Sequence, residues 1–190
     1  MGVEAPARRD WPVLCLIFLL LAAPSPAPQT DGTNARPIEW TTERKLRWQD
    51  FAMKALVRSS DDSHSWVGFE TVWTCDRRNF VFHVTTTFDP SQSWVKPGSQ
   101  NDVLLRHEQT HFDLTEVAAR QLRKRLADLN DPCRSFVMGE IDRLIADQRQ
   151  PWKQAQELYD RETGHGTNEM RQRFWDERTQ TLLDELKGFE

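Results

Sequence analysis

Two histidines four residues apart, with a glutamate directly after the first, are the part of this chain best equipped for chemistry: His107-Glu108-Gln109-Thr110-His111. On an α-helix four residues turn about 400°, so the two imidazoles project from one face only about 40° apart. Two ring nitrogens so placed can share one tetrahedral zinc ion, Zn²⁺. The glutamate beside them can take a proton from a water that the metal activates. On this composition the five-residue pattern arises by chance in about one such chain in a hundred, so its surroundings must decide. The flanks suit a helix, with Leu104 and Leu105 before the motif and uncharged Gln109 and Thr110 between the histidines.

A hydrolytic zinc site takes three protein ligands and keeps one position for water. Glu116, five residues past His111, lies about 140° around the helix and cannot join the site. The third ligand must come from elsewhere in the chain. His165 is the first choice, because Gly164 and Gly166 on either side let the backbone come close to a metal. Glu140 is the second, and Asp160 and Glu162 follow. Tyr159, the only tyrosine, is expected to be a packed aromatic before an oxyanion donor. His64 and His83 fall in the strand-rich half and are expected to serve surface or packing roles.

The elements that must position these residues change character along the chain. Residues 38–40 and 46–51 alternate apolar with polar, as short half-buried strands do, and 59–63 is a polar loop. Residues 66–73 and 80–88 are strands joined by a turn at 76–79, an antiparallel hairpin. Phe80, Phe82, Val84, Thr86 and Phe88 share one face of the second strand. Beyond Asp89-Pro90 and a loop, the period becomes 3.6. Residues 103–129 form a helix with Asp102 as N-cap, residues 135–150 a second and residues 170–187 a third. Pro151 is expected to end or kink the second helix, with a turn or two resuming over 152–159. The expected class is α+β, a small antiparallel sheet followed by helices, with the HExxH helix packed on the sheet as in zincins.

Residues 1–30 read as an export signal and lead-in, leaving 36–190 as one domain. Arg8 and Arg9 precede an almost wholly apolar run, 11–23, which is too short to span a bilayer of about 30 Å as a helix. The expectation is a secreted or periplasmic protein with no stable membrane association after cleavage. Removal of the leader leaves two cysteines, Cys75 and Cys133, and an even pair in an exported chain points to a disulfide. The net charge of −4 carries no basic excess, which argues against a nucleic-acid partner.

The chain resembles a secreted bacterial family of unknown function for which zinc-dependent protease activity is proposed, the DUF922 type. The resemblance rests on Leu46-Arg47-Trp48-Gln49-Asp50-Phe51, on Phe88 with Ser93-Trp94-Val95, and on Leu104-Leu105-Arg106 leading into the motif and Phe112-Asp113 after it. Its last piece is Tyr159-Asp160-Arg161-Glu162-Thr163-Gly164-His165-Gly166. It implies an exported zincin-like domain and strengthens His165 as a ligand. Asp113 departs from zincin helices, which usually carry a hydrophobic residue there. The expected activity is that of a zinc metallopeptidase acting on a peptide or protein substrate, with Glu108 as general base and His107, His111 and His165 on the metal. The alternatives are a non-catalytic zinc-binding envelope module and a zinc amidohydrolase acting on a cell-wall amide.

Overall fold

A computed structural model describes residues 35–55 and 59–190; the expected export signal lies outside them. The chain is α+β. β3 (Val67–Asp76) and β4 (Asn79–Phe88) form the expected hairpin, paired from Val67↔Phe88 to Asp76↔Asn79. Arg77 makes the tight reversal at positive φ (58°). β1 (Ile38–Glu39) adds antiparallel to the other side of β4, giving the order β1-β4-β3. A separate two-stranded ribbon pairs β2 (Ser63–His64) with β5 (Trp94–Val95). Residues 63–64 were expected at the edge of a loop, and it is pairing with β5 that extends them. Residues 46–51 are not a strand. The Asp50 carboxylate accepts from the Arg47 N–H (2.7 Å) and pairs with Arg44 (2.7 Å), closing a 3₁₀ turn over Trp48–Asp50.

Three helices follow: α1 (Asp102–Ala127), α2 (Ser135–Thr163) and α3 (Glu169–Glu185). The cap of α1 is Asn101 rather than Asp102, its side chain accepting from the Leu104 N–H (2.9 Å). α2 runs without interruption through Pro151. A proline inside a helix costs about 3 kcal/mol, and contacts on both sides of this one offset it. Before it, buried Gln148 bonds Arg125 (3.0 Å) and Gln121 (3.1 Å) of α1. After it, Trp152 packs edge-on against Phe69 at 5.5 Å and donates to Thr115 (3.1 Å).

The α1 helix lies across the sheet. The inward row of the hairpin, Phe69 and Val84 with Trp73, Phe80 and Phe82, meets Ala118, Ala119, Leu122 and Leu126 of α1 and Ile141 of α2. Nearer the motif, Phe112 packs with Leu46, Phe51 and Phe88. Two polar devices fix the helix in place. Asp113 accepts from Trp40 Nε1 (2.7 Å) and Gln109 Nε2 (2.8 Å), while Gln109 Oε1 accepts from the Leu46 N–H (2.8 Å). An apolar residue at 113 would leave the Trp40 indole N–H without this partner. Buried Glu116 pairs with Arg120 (2.9 Å) and Arg123 (2.8 Å), whose guanidinium groups reach the carbonyls of Leu183 and Phe189 at the C-terminal end. In α3, Trp175 and Leu183 are buried as the period predicts, whereas Phe174 is exposed under the Arg171 guanidinium. Cys75 and Cys133 form the expected disulfide, tying the hairpin tip to the start of α2.

Candidate metal centre

The α1 helix presents His107 and His111 one turn apart, with their Nε2 atoms 3.1 Å from each other. From α2, Asp160 places Oδ1 3.1 Å from His107 Nε2 and 2.9 Å from His111 Nε2. Ligands held about 2.05 Å from a tetrahedral zinc ion lie about 3.3 Å apart, so these three atoms have nearly the spacing of a shared coordination sphere. Two imidazoles and one carboxylate also suit that ion chemically. Burial opposes charge on Asp160, but the hydrogen bonds and charges of the two imidazoles hold its carboxyl well below the usual carboxylate range.

His165 stands at the open side. Its Nδ1 is 3.7 Å from Asp160 Oδ1, and the ligand atoms of His107, Asp160 and His165 all lie within 4.8 Å of one another. Gly164, His165 and Gly166 take three successive positive φ angles of 55°, 53° and 83°, ending α2 and turning the chain back over the motif. Gly166 has to be glycine on two grounds, since a Cβ there would also meet His107 Cβ at 3.1 Å. Of the remaining candidates, Glu140 is exposed on α2 twenty residues before Asp160, about 30 Å away along the axis. Glu162 turns to Arg171 and to the Trp175 indole (2.8 Å). Neither reaches the cluster.

Each histidine of the motif is fixed by a glutamine. Gln172 Oε1 accepts from His107 Nδ1 (3.2 Å) and Gln156 Oε1 from His111 Nδ1 (2.6 Å). A proton held at Nδ1 would let Nε2, the atom that bonds Asp160 here, give up its own proton and offer its lone pair to a metal. Tyr159 is the packed aromatic expected of it, fully buried and stacked on His107 at 4.6 Å. Burial drives its phenol well above the usual range, against the hydrogen bonds of Thr110 and Gln172. It takes no part at the cleft surface.

The side chain of Glu108 is buried, and its two carboxylate oxygens accept from Ser63 and Ser65, one serine to each oxygen. Neither serine was singled out in the sequence, although residues two apart on an extended segment necessarily share a face. A cleft of about 890 Å³ opens above Glu108 and the donor cluster. Residues 60–69 line it, as do Arg149, Trp152 and Lys153 of α2. His64, expected in a surface or packing role, is exposed on β2 beside Trp66 and Trp94 and also lines this cleft. His83 is exposed on β4.

Residues 74–166 match a family model described as a bacterial protein of unknown function (DUF922). Over that stretch the chain is similar to the DUF922 type. The matched segment contains His107, Glu108, His111, Asp160 and His165, together with both cysteines of the disulfide. It begins near the end of β3, so Ser63, Ser65 and residues 46–51 lie outside it. No curated protein and no solved structure matches the chain. No described helix is long and apolar enough to cross a membrane, and the disulfide is compatible with an extracytoplasmic setting.

Proposed function

We propose that this DUF922-type chain is an exported zinc-dependent peptidase, with its zinc held by His107, His111 and Asp160. The observation that carries the reading is the convergence of two Nε2 atoms and one carboxylate oxygen within 3.1 Å of one another, at the floor of an open cleft and beside a buried glutamate. His165, the sequence's first choice, takes the open side, where it can serve as a further donor or face the substrate. A zinc ion in such a site supplies Lewis acidity and lowers the pKa of water towards about 7.

The chain's own residues then divide the work. Gln156 and Gln172 hold the two imidazoles with Nε2 presented to the metal. Glu108 accepts a proton from the attacking water as its oxygen bonds to the scissile carbonyl carbon, and passes that proton to the amide nitrogen as the C–N bond breaks. One water is consumed, and a carboxylate and an amine are produced.

The test is the Glu108→Gln variant. Turnover of a mixed-sequence fluorogenic peptide library is expected to fall by about 10²–10⁴-fold, with one zinc per chain retained by metal analysis. Undiminished hydrolysis by that variant refutes the assignment of Glu108. Stoichiometric zinc in a wild type that cleaves no peptide refutes the peptidase reading and leaves a zinc-binding module.

A further inference from the structure

A general base must be aimed as well as present, and Glu108 is aimed by an element the family match does not include. We propose that Ser63 and Ser65 are positioning residues that hold the Glu108 carboxylate in its working orientation; the inference rests on the hydrolytic reading above. The two hydroxyls lie on one face of an extended segment, with the exposed His64 between them on the other, and each donates to a different oxygen of Glu108.

The segment is itself anchored on both sides of the serines. Ser63 and His64 pair with Val95 and Trp94. The Lys96 N–H donates to the Asp62 carbonyl (2.8 Å) before the pair, and the Trp66 N–H donates to Ser93 Oγ (2.8 Å) after it. Ser93 is fully buried and its hydroxyl donates to the Asp89 carbonyl (2.7 Å). Hydrogen bonds from residues 89–96 therefore hold the backbone on both sides of the two serines, whose hydroxyls in turn reach Glu108. This gives the Ser93-Trp94-Val95 stretch a task in the site, although none of its side chains contacts a metal donor.

The choice of hydroxyls is chemically informative. A buried carboxylate is ordinarily paired with a cation, yet among the described residues Glu108 is held only by neutral donors. Each carboxylate oxygen has two lone-pair sites. One serine on each oxygen leaves the second site free to receive a proton. The arrangement fixes the direction of the carboxylate and leaves an acceptor site on each oxygen.

The experiment compares wild type with Ser63→Ala/Ser65→Ala and with two isosteric single variants, Ser65→Thr and Ser65→Val. Kinetics on the peptide library, zinc content and crystal structures of the zinc-loaded proteins are measured together. Displacing a catalytic group by about 1 Å costs about 100-fold in rate, so kcat of the double variant is expected to fall by that order while KM and zinc content hold. Ser65→Thr keeps the hydroxyl and is expected to retain activity that Ser65→Val loses. The Glu108 carboxylate is expected to move in the double variant. Unchanged kcat, or a carboxylate that stays in place without the serines, overturns the proposal. If the double variant does not fold, the Thr/Val pair decides. If the wild type cleaves no peptide, the peptidase reading fails on its own, and the crystallographic comparison alone judges the serines.

Discussion

The third donor can be decided by one comparison, Asp160→Asn against His165→Ala. Asp160 Oδ1 lies 3.1 and 2.9 Å from the two Nε2 atoms, already about the edge of a zinc tetrahedron. His165 Nδ1 lies 3.7 Å from the same oxygen, on a side chain 60% exposed. Binding of zinc by four protein ligands is worth about 10–16 kcal/mol, or roughly 3 kcal/mol for each. Asparagine keeps the shape of Asp160 but removes its charge, so a loss of about 3 kcal/mol, near 100-fold in zinc affinity, is expected. An exposed donor still short of its place contributes less, and His165→Ala is expected to weaken binding by under about tenfold. Competition titration with a chromogenic chelator at fixed pH measures both, with His107→Ala as the reference for a lost ligand. A larger loss from His165→Ala than from Asp160→Asn refutes the reasoning and restores the histidine as third ligand.

Three further outcomes follow from the surroundings of the site. Gln156→Leu removes the acceptor at His111 Nδ1 (2.6 Å) and is expected to lower zinc affinity by about 10–100-fold in the same titration. Glu116→Gln removes the charge that joins Arg120 and Arg123, leaving Arg120 with Glu190 alone (3.2 Å) and Arg123 without a carboxylate among the described residues. A loss of about 3–5 kcal/mol in urea unfolding is expected, with little change in zinc affinity for the folded protein. Cys75→Ala/Cys133→Ala opens a loop spanning 58 residues and is expected to cost about 4 kcal/mol, seen as a lower thermal midpoint that reductant does not change further.

Periodicity carried most of the fold. The 66–88 hairpin, its inward row and three helices follow from apolar spacing alone, because each buries one continuous face. The departures have local polar causes. Asp50 closes a turn where alternation suggests a strand, and Asn101, one residue ahead of the expected cap, supplies the bond to Leu104. The motif showed its own geometry because both histidines lie on one uninterrupted helix, where sequence spacing converts directly into angle. Asp160 was harder to rank for a related reason. With α2 expected to end or kink at Pro151 and to resume only over 152–159, Gln156, Asp160 and Thr163 have no common frame. Once the helix continues to Thr163, the spacings of four and three place all three on the side that faces the histidines. The energy that decides the matter is long-range, since Gln148 and Trp152 hold the helix to α1 and the sheet across the proline.

Ser63 and Ser65 mark a different limit. A pair of serines in a polar stretch is compatible with any surface loop, and nothing within ten residues of them predicts a partner. Their role is set by Trp94 and Val95, thirty residues later in sequence, which make the segment extended and so turn both hydroxyls the same way. The matched family segment contains Glu108, the metal donors and the 89–96 stretch but stops short of these serines. Glu108 is thus linked to the matched segment twice, once through its own helix and once through hydrogen bonds that leave the segment and return. A change in residues 89–96 is therefore expected to reach Glu108 through Ser63 and Ser65 without disturbing the candidate donors on α1 and α2, which is where loss of turnover and loss of metal would part company.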